Sequence, residues 1–100
     1  MRPVVVPALA GLLGFCLPAA ASSPDAWEGF REEVRVACLE AAKPIFATAV
    51  ADVDPFGSES YGLAVVHGKA KDAEMDLRIV CVLDKKTRKV EIGGELPPSE

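Results

Sequence analysis

The hydrophobic positions of the chain fall into one unbroken apolar run, one stretch of helical spacing and several stretches of alternation. Trp27, Phe30, Val34, Cys38, Leu39 and Ala41 recur at steps near three and four, while Arg31, Glu32, Glu33, Arg35 and Glu40 take the other sides. A 3.6-residue period gathers such apolar side chains on one face, which predicts an amphipathic helix over about residues 25–42. Its start is marked by Ser23 as N-cap and Pro24 at the first helical position, with Asp25 and Glu28 near the positive end of the dipole. Pro44 ends or kinks this helix, since it lacks an N–H and constrains Lys43.

Further along, the period shortens to two. Met75, Leu77, Ile79, Cys81 and Leu83 alternate with Asp76, Arg78, Val80 and Val82, the pattern of a half-buried strand. Tyr61–His67 and Lys89–Ile92 read as two more strands, the second closed by Gly93-Gly94. Residues 45–53 are mixed: they fit a short helical turn after Pro44, or a weak edge strand over 48–53, and the strand is the preferred reading. Asp54–Ser60 reads as a loop, Gly68–Asp72 as a turn and Asp84–Thr87 as a hairpin turn, from their Pro, Gly, Asp and Ser content. The expected fold class is α+β, with one N-terminal helix packed on a three- to four-stranded antiparallel sheet. Residues 97–100 are expected to be a mobile tail.

The apolar run lies at the other end of the chain. Arg2, the stretch Val4–Leu17 and then Pro18-Ala19-Ala20-Ala21 follow the layout of a secretory signal peptide. Residues 1–21 are assigned to it, with cleavage after Ala21, leaving one small domain over 22–100. A permanent membrane anchor is the competing reading, but Pro7, Gly11, Gly14 and Pro18 weaken such a helix. Lipidation at Cys16 is disfavoured because the bulky Phe15 stands where a small residue is needed. The expected location is therefore periplasmic, with no membrane association after cleavage.

Cleavage would leave Cys38 and Cys81. In an exported chain this small, a single pair reads as a disulfide, worth roughly 4 kcal/mol in the chain-entropy model. Zinc is the weaker alternative, because two cysteines and the lone His67 fall short of four ligands. The whole chain carries a net charge of −4, which argues against nucleic acid as a partner.

Catalysis needs a nucleophile or an activated water beside a tuned base. The chain offers His67 alone, cysteines expected to be oxidised, scattered acids, and Gly93-Gly94 without the lysine and helix of a phosphate-binding loop. The expectation is a non-enzymatic protein with no metal or cofactor. Candidate chemistry concentrates in the 54–61 loop, where Phe56 and Tyr61 offer anchoring area and Ser58, Glu59 and Ser60 offer polar contacts. These five are the expected partner-binding residues.

The run Asp54-Pro55-Phe56-Gly57-Ser58-Glu59-Ser60-Tyr61-Gly62-Leu63-Ala64, with the exported size and the cysteine pair, resembles a small periplasmic family of alphaproteobacteria that includes inhibitors of peptidoglycan hydrolases and lysozyme. Bacterial lysozyme inhibitors more generally present a Ser-Gly-x-x-Tyr loop to the enzyme's cleft. Ser58 and Tyr61 match that spacing, while Glu59 stands where the glycine belongs. The chain also departs from the eight-stranded barrels of the c-type inhibitors, having too few strands. The resemblance implies an inhibitor that binds a lysozyme-like muramidase or another peptidoglycan hydrolase through residues 54–61. The alternative is a periplasmic structural or adaptor module docking through the sheet's outer face, where Val80 and Val82 are apolar on a side that should be polar, with a homodimer as one form of it.

Overall fold

A computed structural model describes residues 23–97, so the signal-peptide and Cys16 expectations, and the tail beyond Pro97, lie outside the described residues. Helix α1 (Pro24–Ala42) is followed by β1 (Phe46–Val53), β2 (Tyr61–Ala70), β3 (Asp76–Asp84) and β4 (Val90–Glu95). The strands form one antiparallel sheet in the order β1-β2-β3-β4, with α1 laid across one face. This is the α+β architecture expected from the periodicity, with the strand count at four.

Ser23 caps α1 by accepting a hydrogen bond from the Ala26 N–H at 3.2 Å, and Pro24 opens the first turn. The helix stops at Ala42, two residues before Pro44. Its buried stripe is Val34, Cys38 and Ala42, four residues apart, so the face turned to the sheet is narrow. Beneath it lie Phe46 and Ala51 of β1, Ala64 and Val66 of β2, and Ile79, Cys81 and Leu83 of β3. Alternation along β2 and β3 sets this register: Ala64 is opposite Cys81, and Val66 is opposite Ile79.

Two features bring the helix close to the sheet. Cys38 and Cys81 form a disulfide that joins the C-terminal part of α1 to the centre of β3, with Cα atoms 5.9 Å apart. Gly62, at the start of β2, leaves room for Val34 and Phe30; a Cβ there would lie 2.5 Å from Val34 Cγ2 and 2.9 Å from Phe30 Cζ. The sequence placed Cys81 on the face of Leu77, Ile79 and Leu83, and the structure has it there, fully buried with Cys38.

Three strand boundaries differ from the sequence reading, each because tertiary pairing outweighs a local signal. First, β1 begins at Phe46 and no helical turn forms after Pro44, since Phe46 is buried under α1 and the Ile45 carbonyl accepts from the Lys71 N–H at 2.9 Å. Second, β2 runs through Gly68 to Ala70, because Gly68 is paired on both sides, with Ala49 and Leu77. Third, β4 continues through Gly93-Gly94 to Glu95, which is opposite Ile79. The expected tail begins tied down, with Leu96 N–H donating to the Arg78 carbonyl at 2.7 Å and Arg78 Nη1 donating to the Pro97 carbonyl at 2.8 Å.

Among the described residues, no helix is long and apolar enough to cross a membrane. The largest fully buried side chains are only Leu83, Val34, Val66 and the two cysteines, so the covalent link carries a large share of stability. Replacing both Cys38 and Cys81 with alanine is expected to cost about 2–5 kcal/mol, read as a lowered urea midpoint against the oxidised parent.

Candidate protein-binding site

The connection between β1 and β2 is built by its own polar side chains. Asp54 Oδ1 accepts from the N–H groups of Phe56 (3.1 Å) and Gly57 (2.9 Å), an Asx turn of the kind aspartate favours before a glycine. Gly57 has φ +73°, and a Cβ there would sit 2.3 Å from the Tyr61 carbonyl oxygen, so the position requires glycine. Ser58 closes the loop: its N–H donates to the Tyr61 carbonyl at 2.8 Å, and its Oγ accepts from the Tyr61 N–H at 3.1 Å.

Lys85, from the β3–β4 turn, braces this loop from outside. Its Nζ donates to the carbonyls of Ser58 at 2.7 Å and Phe56 at 3.2 Å, and its backbone N–H donates to the Ser60 carbonyl at 2.9 Å. The same ammonium lies 5.5 Å from the Trp27 ring centre and 5.3 Å from that of Phe30, within cation–π range. Arg31 completes the brace by donating from Nη1 to the Pro55 carbonyl at 3.1 Å. Trp27 then meets Phe56 edge to face, with ring centres 5.0 Å apart.

The turn that carries Lys85 is itself held by Asp84. Its Oδ1 accepts from the Lys86 N–H at 2.8 Å and the Thr87 N–H at 3.0 Å. The Thr87 and then the Lys86 backbone hydrogen bonds hold the Asp84 carboxyl below its ordinary value of 3.8, because they favour the charged form. Arg88 adopts the left-handed conformation at φ +67° to close the hairpin, and its Nε pairs with Glu33 of α1 at 3.1 Å.

The five sequence-predicted residues divide into two groups. Phe56 turns toward α1 and packs on Trp27 while remaining 55 % exposed. Ser58 spends its hydroxyl within the loop. Glu59, Ser60 and Tyr61 instead border an open groove of about 510 Å³ with Asp84, Lys85 and Lys86. All three are exposed, Tyr61 at 41 %. Among the described residues, the Ser60 hydroxyl, the Tyr61 phenol and the Glu59 carboxylate make no intramolecular hydrogen bond or ion pair.

Sequence reading missed Lys85, Trp27 and Asp84 as parts of this site. Asp84 had a local signal, an aspartate opening a hairpin turn. Lys85 had none, since the carbonyls it holds are 27 and 29 residues away in sequence. His67 lies further along β2 on the face turned away from α1, where its Nε2 is 3.0 Å from Asp52 Oδ2.

Comparison with known proteins finds no matching family model, no matching curated protein and no matching solved structure.

Two outcomes are expected from this bracing. Lys85→Met should accelerate hydrogen exchange at the Ser58 and Tyr61 amides while leaving the Cys81 amide protected, at a cost of about 1 kcal/mol in global stability. Because its folded pKa is lowered, Asp84 contributes stability fully above its ordinary value of 3.8 and loses it as pH falls through the lowered value. In acid denaturation, Asp84→Asn should therefore flatten the loss of stability below that pH.

Proposed function

We propose that the chain is an exported, non-enzymatic binding protein that inhibits a lysozyme-like peptidoglycan hydrolase through the rim formed by Glu59, Ser60 and Tyr61. The observation that carries this reading is the brace on the 54–61 loop. Three loop carbonyls are held by Lys85 and a fourth by Arg31, yet the Ser60 and Tyr61 side chains are left without internal partners. A loop fixed before binding loses little conformational entropy on docking, which favours tight recognition from a small contact.

The chemistry of the rim suits the proposed target. Lysozyme-type hydrolases place two carboxylates across a substrate groove. The Ser60 and Tyr61 hydroxyls can donate hydrogen bonds to such acids and offer no scissile bond in return. Glu59 would be repelled by those acids, so it contacts a basic residue at the groove's margin. The net charge of −4 steers the protein toward a basic partner. Ser58, which matches the serine of the inhibitor loop motif, acts in this reading by shaping the loop. The disulfide supports an oxidising compartment such as the periplasm.

The test is lysis of a peptidoglycan suspension by a c-type lysozyme in the presence of the oxidised protein. Inhibition by the parent is expected, weakened about 30-fold in a Ser60→Ala/Tyr61→Ala variant if the rim supplies about 2 kcal/mol. Unchanged lysis at a large excess of the parent would overturn the proposal.

A further inference from the structure

The two edges of the sheet are built differently. At one edge, β4 carries Glu91 and Glu95, is interrupted by a register shift between Ile79 and Cys81, and runs into Pro97. Charges, bulges and prolines are the usual means of keeping an edge strand from pairing further. At the other edge, β1 runs in unbroken register from Thr48 to Val53, with Asp52 as its one charge. Val50, in the middle of that stretch, is 57 % exposed. The backbone of this edge is also open. The Asp54 N–H donates to the Leu63 carbonyl, so by the alternation of an antiparallel ladder Val50 and Asp52 turn their backbone groups to β2. Ala49, Ala51 and Val53 turn theirs outward, and among the described residues nothing receives them.

We propose that this edge pairs with β1 of a second copy, antiparallel, about a two-fold axis through Val50, so that the two four-stranded sheets join edge to edge. In that register Ala49 lies opposite the partner's Ala51, and Ala51 opposite the partner's Ala49. The outward groups of these two pairs form about four main-chain hydrogen bonds. Val50 meets the partner's Val50 at the close, non-hydrogen-bonded position, where a β-branched pair packs well. Val53 comes opposite the partner's Ala47, at a hollow of about 200 Å³ lined by Leu39, Ala42, Lys43, Phe46, Ala47 and Ala49. This largely apolar hollow is a socket for the valine, which is only half-buried in one copy. A single strand pair buries less than the ~800 Å² per partner of a typical stable interface, so the dimer is reversible, in the micromolar range.

The charges beside the edge fit the same register. Asp52 keeps His67 of its own copy at 3.0 Å and comes opposite the partner's Thr48, whose hydroxyl can donate to it, with the partner's Lys69 next in that row. The two Asp52 residues then stand roughly 14 Å apart, about four residues along the strand and one strand across. Moving the axis to Ala51 would bring them to about 8 Å and set Asp52 against the partner's Val50, so Asp52 selects the register. Asp54 comes to the end of the partner's strand where Lys43 and Lys71 sit. On the helix, Glu32 is paired with Arg35 and Glu40 with Lys43 within each copy. Tyr61 lies before the part of β2 that pairs with β1 and stands opposite Asp84 of β3, so the contact leaves the loop rim open and does not rest on the inhibitor reading.

Sedimentation of the chain, expressed for export and recovered oxidised, tests this over about 5–500 µM, the range in which a micromolar dimer dissociates. A reversible monomer–dimer equilibrium is expected for the parent. Amide hydrogen exchange at Ala49 and Ala51 should slow at least about fivefold at the top of that range, while exchange at Tyr61 is unchanged. Val50→Lys alone and Val50→Glu alone should each weaken association at least about tenfold, since each sets like charges across the axis. An equimolar mixture of the two variants should regain association, because a two-fold at Val50 sets that position against itself; a misfolded variant could not do this. A parent monomeric at every concentration overturns the proposal and leaves the edge to a strand of another protein. A dimer whose Ala49 and Ala51 amides exchange as in the monomer overturns it too, as does one that ignores both substitutions or a mixture that fails to associate.

Discussion

The link between Cys38 and Cys81 is the constraint through which the rest of the molecule is arranged. It fixes the C-terminal part of the only described helix over the centre of the sheet, where Ala64 and Gly62 keep the approach short. A core of this size, in which few large side chains are fully buried, has little other means of holding a single helix at one angle. Four turns of helix lie between Ser23 and Cys38, so fixing Cys38 also fixes where Trp27 and Phe30 emerge at the sheet's end.

That placement makes the loop a rigid surface. Trp27 and Phe30 supply the faces over which Lys85 lies, and Lys85 in turn draws the loop carbonyls toward the β3–β4 turn. The polar side chains then split by task. Asp54 and Ser58 saturate backbone groups of the loop, and Asp84 does the same for the neighbouring turn. The hydroxyls of Ser60 and Tyr61 have no internal partner among the described residues. Spending some polar groups on internal order while leaving others free is the arrangement a preformed recognition surface requires.

The two sides of the sheet differ in what they leave uncovered. The inner side meets α1 and is closed. The outer side keeps aliphatic residues on both central strands, although a four-stranded meander with one helix needs only one apolar face. The loop rim adjoins the outer face, since Tyr61 lies on the same side of β2 as Leu63 and Val65 and borders a hollow with Val82 and Glu91.

Much of the fold was legible in local pattern. The serine cap, the proline at the first turn and the three- and four-residue spacing marked the helix almost to its ends, because each acts within a single turn of chain. Strict alternation around Cys81 marked β3 and its buried face for the same reason. The sequence also bounded the loop, since the side chains of Asp54 and Ser58 bond backbone groups at most three positions away. Tertiary structure alone decided that β2 and β4 run through their glycines, because strand pairing comes from residues distant in the chain. It also decided that Phe46 begins a strand under the helix and that Lys85 braces the loop. Each of these depends on groups brought together by the fold, and a local spacing of side chains carries no record of a lysine reaching a carbonyl 27 residues away.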